Sequence, residues 1–277
     1  MKPDLSPATL RKLVLEMAFF GKTVHIPCAF SMVEIVSSLY SKYLRYDVKD
    51  PRWEGRDRLV LSKGHGVMAL YAAFHQLGWL PREAIENYFA DGSLLHGLSE
   101  AHIPGLEVTS GSLGHGLPIA TGLALGFKLE AARTGKPAKR VFCIVGDGEM
   151  NEGAMWEALL FAGHHRLDNL TVIVDANGFQ AMGKIQDIVG MEPFVDKFRA
   201  FGFDAVECDG HSLEALDREF AKSVGPASEN PKPRAIVART VKGKGVSFME
   251  HDNTWHYTRL DQAKFDRAIA EVSGNAR

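Results

Sequence analysis

The sequence predicts an α/β fold of three layers, α on β on α, around a mainly parallel central sheet. Three observations lead there. From Arg140 onward the strand-like runs RVFCIV, NLTVIV, FDAVEC and RAIVART alternate with the helical stretches EGAMWEALLFAGHHR, PFVDKFRAFG and SLEALDREFAKSVG. Those strand runs are continuous and rich in Val and Ile, as strands covered on both faces must be. The chain has 277 residues, 45% of them hydrophobic and 24% charged, enough to fill the core of one large α/β domain.

In chain order, Ser6-Pro7 opens a first helix as a cap followed by a first-turn proline, with Leu10, Leu13, Val14, Met17 and Ala18 at helical spacing. GKTVHIPCAF reads as irregular, and a second helix is expected from Ser31 to Leu44. DRLVLSKGHG is a short strand into a glycine turn, VMALYAAFHQLG a helix ended by Gly78, and PREAIENYF a further helix. The 27 residues from Ala90 to Gly116, ADGSLLHGLSEAHIPGLEVTSGSLGHG, are rich in Gly, Ser and His; ordered loops of that length are usually functional. LPIATGLALGFKLEAARTG is a helix of small residues that leads into the alternating half. SVGPASENPKPR is the most loop-like connection, yet a strand follows it. With no internal repeat, low-complexity tract or separating linker, one domain spanning residues 1–277 is expected.

Net charge is −2, so no basic surplus points to nucleic acid and no polybasic patch to a membrane. The three cysteines, Cys28, Cys143 and Cys208, are widely spaced and never form C-x-x-C, which suits reduced thiols in a cytoplasm. The N-terminal apolar run is broken by Glu16, and none of the apolar stretches approaches the ~20 residues that span a bilayer. A soluble, cytoplasmic protein is expected.

RVFCIV runs directly into Gly146-Asp147-Gly148, and the next strand runs to Asn177-Gly178. Open parallel sheets bind ligands beyond the carboxyl ends of their strands. Asp147 and Asn177 are one strand-helix-strand crossover apart, so adjacent strand ends can bring them together. A carboxylate, an amide oxygen and a backbone carbonyl are hard ligands that suit magnesium or calcium. The glycines flanking Asp147 let a bulky anion approach, and the helix after Gly148 offers free N–H groups to phosphate. Each element alone also reads as a turn; together they point to a metal diphosphate.

GDG followed by NEG, a helix and then Asn resembles the thiamine-diphosphate signature of the transketolase family. DRLVLSKGHG resembles that family's strand-to-SxGH element, PGLEVTSGSLGHG its PGVEVTTGPLGQG loop, and TVKGKG with a later Trp-His the end of the same domain. The resemblance covers nearly the whole chain and implies the diphosphate-binding (PP-type) domain of the thiamine-diphosphate fold, as the N-terminal half of a two-subunit transketolase. It implies that Asp147, Asn177 and the carbonyl of Phe179 hold the divalent metal. His65, the Gly111-Ser112-Leu113 turn, Gly146, Gly148 and His256 would contact thiamine diphosphate. His25, His65 and His256 would act on ketose hydroxyls, with His96 matching a loop histidine of the family. Glu152 and Glu157 match acidic positions at an interface between chains, and Glu152 is also placed at the cofactor.

The chain departs from the family at His25, where TVHIPCAF replaces SGHPGG and sets Cys28 and Phe30 where small residues leave room. His115 stands for a usual Gln, and WHYTRL for WHGKAP. These departures imply a narrower pocket and a substrate other than an ordinary sugar phosphate. The family's catalytic glutamate and its phosphate-binding arginines belong to the pyrimidine-binding domain. The resemblance therefore implies a separate C-terminal subunit supplying that glutamate, in an α2β2 assembly acting on sugars or sugar phosphates. The α subunit of a 2-oxoacid dehydrogenase would share the GDG-to-Asn element but not SKGHG or the VKGKG tail, and a non-catalytic scaffold could lose its metal ligands. FFGKT imitates a P-loop, but Glu16 replaces its first glycine.

Overall fold

The computed structural model describes residues 3–225 and 231–274; part of the SVGPASENPKPR connection, residues 226–230, lies outside them. The central sheet takes β1 (Arg58–Leu61), β2 (Val141–Gly146), β3 (Leu170–Ala176), β6 (Asp204–Asp209) and β7 (Arg234–Arg239), and a hairpin joins β4 (Phe179–Gln180) to β5 (Gly183–Lys184). Sheet order is β1-β2-β3-β7-β6, with every pair parallel. The helices are α1 (Pro7–Phe20), α2 (Ile26–Phe30), α3 (Val33–Ser38), α4 (Met68–Gln76), α5 (Arg82–Glu86), α6 (Gly116–Thr134), α7 (Gly153–His164), α8 (Ile185–Ile188), α9 (Phe194–Ala200), α10 (Leu213–Val224) and α11 (Gln262–Val272).

Successive strand residues point to opposite faces, and that alternation makes the three layers. Phe142, Ile144, Ile173 and Ile236 pack with α1 to α5, α10 and α11, whereas Val141, Cys143, Val145, Val172, Val174 and Val237 pack with α6, α7 and α9. From β1 through β2 and β3 the chain steps on to β6 at the far edge, and only then turns back to β7. Right-handed crossovers put helices on opposite faces when the stepping direction reverses. The reversal comes after β6, and α10, which follows it, packs on the face opposite α6, α7 and α9.

The expected helix from Ser31 to Leu44 is instead divided into α3 and a π-helical turn, Leu39–Tyr43, with α2 formed inside the stretch read as irregular. His25 enters the left-handed region (φ 69°), and Pro27 stands in the first turn of α2, so the chain turns sharply and then starts a helix without a side-chain cap. The N–H groups after Gly148 form a 3-10 turn, Gly148–Asn151, before α7 begins at Gly153. Sequence reading assigned no element to the C-terminal stretch that forms α11, although Asp261 caps it by accepting the Lys264 N–H. No helix among the described residues is long and apolar enough to cross a membrane.

Candidate active site

Register sets the centre of the site. Gly146 pairs with Asp175, so the chain leaves adjacent strand ends at Asp147 and Asn177. Asp147 is 3% exposed. Its Oδ1 accepts the Gly148 N–H at 2.9 Å and its Oδ2 the Gly178 N–H at 2.6 Å. Burial, with the Asp175 charge adding to it, pushes its carboxyl up to about 7. Among the described residues no lysine or arginine is ion-paired with it. A buried carboxylate held only by backbone donors is short of positive charge, and a divalent cation would supply it.

Asn177 lies beside it, its Oδ1 accepting the Phe179 N–H at 3.1 Å, an Asx turn that starts the β4–β5 hairpin. One carboxylate, one amide and one carbonyl make an oxygen donor set that fits magnesium or calcium. No cluster of three His, Cys, Asp or Glu groups suited to a metal occurs among the described residues, which is consistent with so mixed a set. A cavity of about 210 Å³ reaches Asp147, Asn177 and Gly178. A larger one, about 880 Å³, opens at the amino-terminal edge of the sheet between Arg140, Asn169 and Arg234. It touches none of the site residues.

Behind Asp147 lies a network that sequence reading missed. Asp175 is fully buried; it pairs with the Lys63 ammonium and accepts from Ser31 Oγ at 2.6 Å and from the Thr240 hydroxyl. Burial disfavours both charges of the pair. Lys63 nevertheless outweighs that for Asp175, whose carboxyl is held low, and Asp175 does the same for Lys63, whose ammonium is held high. Lys63 also donates to the Cys28 carbonyl at 3.0 Å, tying α2 to the turn after β1.

Glu149, 2% exposed, is a second missed anchor. Its Oε1 accepts from Ser62 Oγ at 2.6 Å and from the Gly114 N–H at 2.9 Å, and its Oε2 from the Gly146 N–H at 3.1 Å. The GDG turn, the SKGH turn and the GSLGHG loop therefore share one carboxylate. A Cβ at Gly64 would meet the Ser110 carbonyl at 2.1 Å, so only glycine lets the SKGH turn press against the loop that carries Gly111, Ser112 and Leu113. The signal for all these groups was present in the sequence: Asp175 closes an apolar strand, and Lys63, Glu149 and Lys242 sit inside the SKGHG, GDGEMNEG and TVKGKG motifs.

Three histidines converge from distant segments. The His25 ring lies 4.8 Å from His65 and 4.9 Å from His256, edge to face. The His25 N–H donates to the His256 carbonyl at 3.2 Å, which joins α2 to the turn at Asn253–His256. Lys242 is 2% exposed and donates to Asn253 Oδ1 at 2.6 Å and to His256 Nδ1 at 3.0 Å. With its Nδ1 accepting, neutral His256 carries its proton on Nε2. Burial first, then the neighbouring His65 and Lys242, lowers His25 to about 4; burial and then Lys242 lower His256 to about 3. His65 is lowered by burial and by Lys63. All three are neutral imidazoles near pH 7.

That neutrality has a stability consequence. Unfolded, these histidines take protons near 6.5, and folded only at about 4 and about 3 for His25 and His256. The unfolded state binds more protons in between, so stability is complete above pH 6.5 and falls as the pH drops toward 4. Urea midpoints measured from pH 8 to pH 5 are expected to decline less for the His25→Gln, His256→Gln double variant than for the wild type. Equal declines would contradict the assignment.

The structure does not bring His96 to this group. It is exposed, and its Nδ1 pairs with Glu100 at 2.8 Å. Leu98 is the loop residue that packs on the Gly111-Ser112-Leu113 turn: a Cβ at Gly111 would meet it at 2.6 Å. Phe30 does not narrow the pocket, being wholly buried in the core layer of α1 to α5. Cys28 does reach the histidines, with Sγ 3.7 Å from His256 Nδ1. Glu152 and Glu157 are exposed on the α7 side of the site, apart from the Asp147 network.

Residues 5–272 match the family described as "Transketolase, thiamine diphosphate binding domain". The chain is 35% identical over 270 residues to one subunit of the apulose-4-phosphate transketolase of Phocaeicola vulgatus, covering 98% of this chain and 93% of that protein. It is 37% identical over 265 residues to the 6-deoxy-6-sulfo-D-fructose transketolase subunit SqwG of a Clostridium species, covering 95% and 93%. The solved transketolases of Leishmania mexicana and Campylobacter jejuni superpose with a TM-score of 0.88 at 29% identity, over 96% and 97% of this chain. The chain spans 40% and 42% of the length of those two solved chains.

Proposed function

The chain belongs to the transketolase family, and from that premise we propose that residues 1–277 form the diphosphate-binding subunit of a two-subunit transketolase. The observation that carries the reading is the buried, cation-deficient Asp147 beside Asn177 at the carboxyl ends of the adjacent strands β2 and β3, with three neutral histidines close by. Three of the relatives matched over nearly their full length are themselves named as single subunits of transketolases, which supports a separate second subunit. That partner would supply the catalytic glutamate in an α2β2 enzyme of the cytoplasm.

Asp147, Asn177 and the Phe179 carbonyl would hold magnesium or calcium, and the metal in turn the diphosphate of thiamine diphosphate. The Gly111-Ser112-Leu113 turn, Gly146, Gly148, His65 and His256 would line the cofactor. When bound, thiamine diphosphate supplies the chemistry that cleaves a ketose between C2 and C3 and carries the two-carbon fragment to an aldose. The chain's own work is positional and protic. Lys242 holds the His256 ring so that Nε2–H can donate to a substrate oxygen, and His25 and His65, being neutral, can accept or donate at ketose hydroxyls. The closed wall of Cys28 and the α2 start fits a substrate other than the common pentose phosphates.

The test is two-carbon transfer by this chain mixed with its second subunit. The donors are D-xylulose 5-phosphate, D-fructose 6-phosphate, apulose 4-phosphate and 6-deoxy-6-sulfo-D-fructose. Transfer from at least one ketose, only with both subunits and cofactor present, is expected. Activity of the pure chain would remove the partner from the reading. Decarboxylation of 2-oxoacids in place of ketol transfer would favour a dehydrogenase α subunit.

A further inference from the structure

The histidine group has an aromatic rim that the reaction itself does not call for. Tyr257 follows His256 directly; its ring centroid lies 4.6 Å from that of His256 and 5.8 Å from that of His25, edge to face in both cases. The two residues before it are buried, Trp255 at 6% and His256 at 9% exposed, whereas Tyr257 is 62% exposed. So large an aromatic surface left to solvent beside the histidine group is a contact surface waiting for a ligand.

The backbone beneath it is fixed. The Tyr257 N–H closes the turn on the Thr254 carbonyl at 3.3 Å, and the His256 carbonyl accepts the His25 N–H. Asp252 caps the same turn through the Thr254 N–H at 2.9 Å. The ring is therefore presented by a rigid element, as a selective contact requires. Cys28 stands against the Nδ1 edge of His256, Sγ at 3.7 Å, whereas the exposed Tyr257 ring lies beside both His256 and His25, open to a carbon chain that extends from them. Basic groups near this rim are Lys22 and Arg259, and the Arg259 Nε is held on the Lys22 carbonyl at 2.6 Å.

We propose that Tyr257 is a specificity-determining residue, a platform on which the carbon chain of the aldose acceptor lies with its C–H groups against the ring. The proposal rests on the transketolase reading of the site. It makes selection depend on acceptor length: a two-carbon aldehyde is too short to reach the ring fully, and a five-carbon aldose covers it.

The experiment uses the assembled enzyme with the donor ketose that gives it the highest rate, and compares glycolaldehyde with the uncharged pentose D-ribose as acceptors. Tyr257→Ala and Tyr257→Leu are expected to raise KM for the pentose about tenfold, the upper end for a lost aromatic contact, and to raise it less for glycolaldehyde. Tyr257→Phe, which keeps the ring, is expected to stay near wild type for both. Equal losses with the two acceptors, no loss with either, or a Phe variant as impaired as Ala would overturn the platform. A wild-type enzyme that transfers a two-carbon unit from no ketose at all would overturn the underlying reading, and the inference with it.

Discussion

Asp147→Ala is expected to lower the affinity of the assembled enzyme for thiamine diphosphate with magnesium by roughly a hundredfold or more, beyond the loss that follows removal of a group that merely orients a metal ligand. The carboxylate is the only charged member of the proposed donor set, and Asn177 and a carbonyl cannot neutralise a divalent ion. Neutralising the same carboxylate should act oppositely on the chain without cofactor. Asp147 titrates at about 7 when folded against 3.8 as its ordinary value, because of burial and then of Asp175. The folded state thus binds the extra proton, and the group costs stability increasingly as the pH rises from 3.8 toward 7. At pH 7.5 the cofactor-free Asp147→Asn chain, which keeps an oxygen for one of the two backbone donors, is expected to unfold at higher urea than the wild type, with cofactor binding lost in calorimetric titration. Loss of binding together with loss of stability would mean misfolding and would withdraw the metal assignment. Retained binding would do so directly.

What could be read in the sequence was whatever has a local cause. Buried parallel strands advertise themselves as unbroken apolar runs, and β2, β3, β6 and β7 lie within a residue or two of RVFCIV, NLTVIV, FDAVEC and RAIVART. Asp147 and Asn177 stood out because glycine beside a polar residue at the end of such a run has few structural uses. The groups that position them did not stand out, because their partners are remote. Asp175 meets Thr240 65 residues on, Lys63 112 residues back and Ser31 144 residues back. Nothing in a window of ten residues signals those contacts. His96 lies in the loop the sequence pointed to, exposed and paired with a carboxylate four residues on, Glu100, rather than with the other histidines. At α2 the first-turn proline was visible, yet the turn into it rests on a left-handed His25 that no cap or glycine announces.

The remote network also sets the largest stability effect expected outside the core. Lys63 and Asp175 are charges in a place without water, so the pair as a whole contributes little, while either charge alone is costly. Lys63→Met leaves the Asp175 carboxylate with hydroxyl donors from Ser31 and Thr240 and the Asn177 amide at 3.3 Å, but without a cation. Asp175→Asn leaves an ammonium with the Cys28 carbonyl as its principal partner. Each single variant is expected to lose about 3–5 kcal/mol of unfolding free energy. The Lys63→Met, Asp175→Asn double variant is expected to lose less than the sum, with a coupling of up to about 3 kcal/mol in a urea-unfolding cycle. Strict additivity would show that the two charges do not depend on each other. The position of the pair makes the cycle informative about function as well: Lys63 carries the turn that presents His65, and Asp175 precedes Asn177 by two residues. A double variant that regains stability without regaining cofactor affinity would separate what the pair does for folding from what it does for the geometry of the proposed metal site and the histidines.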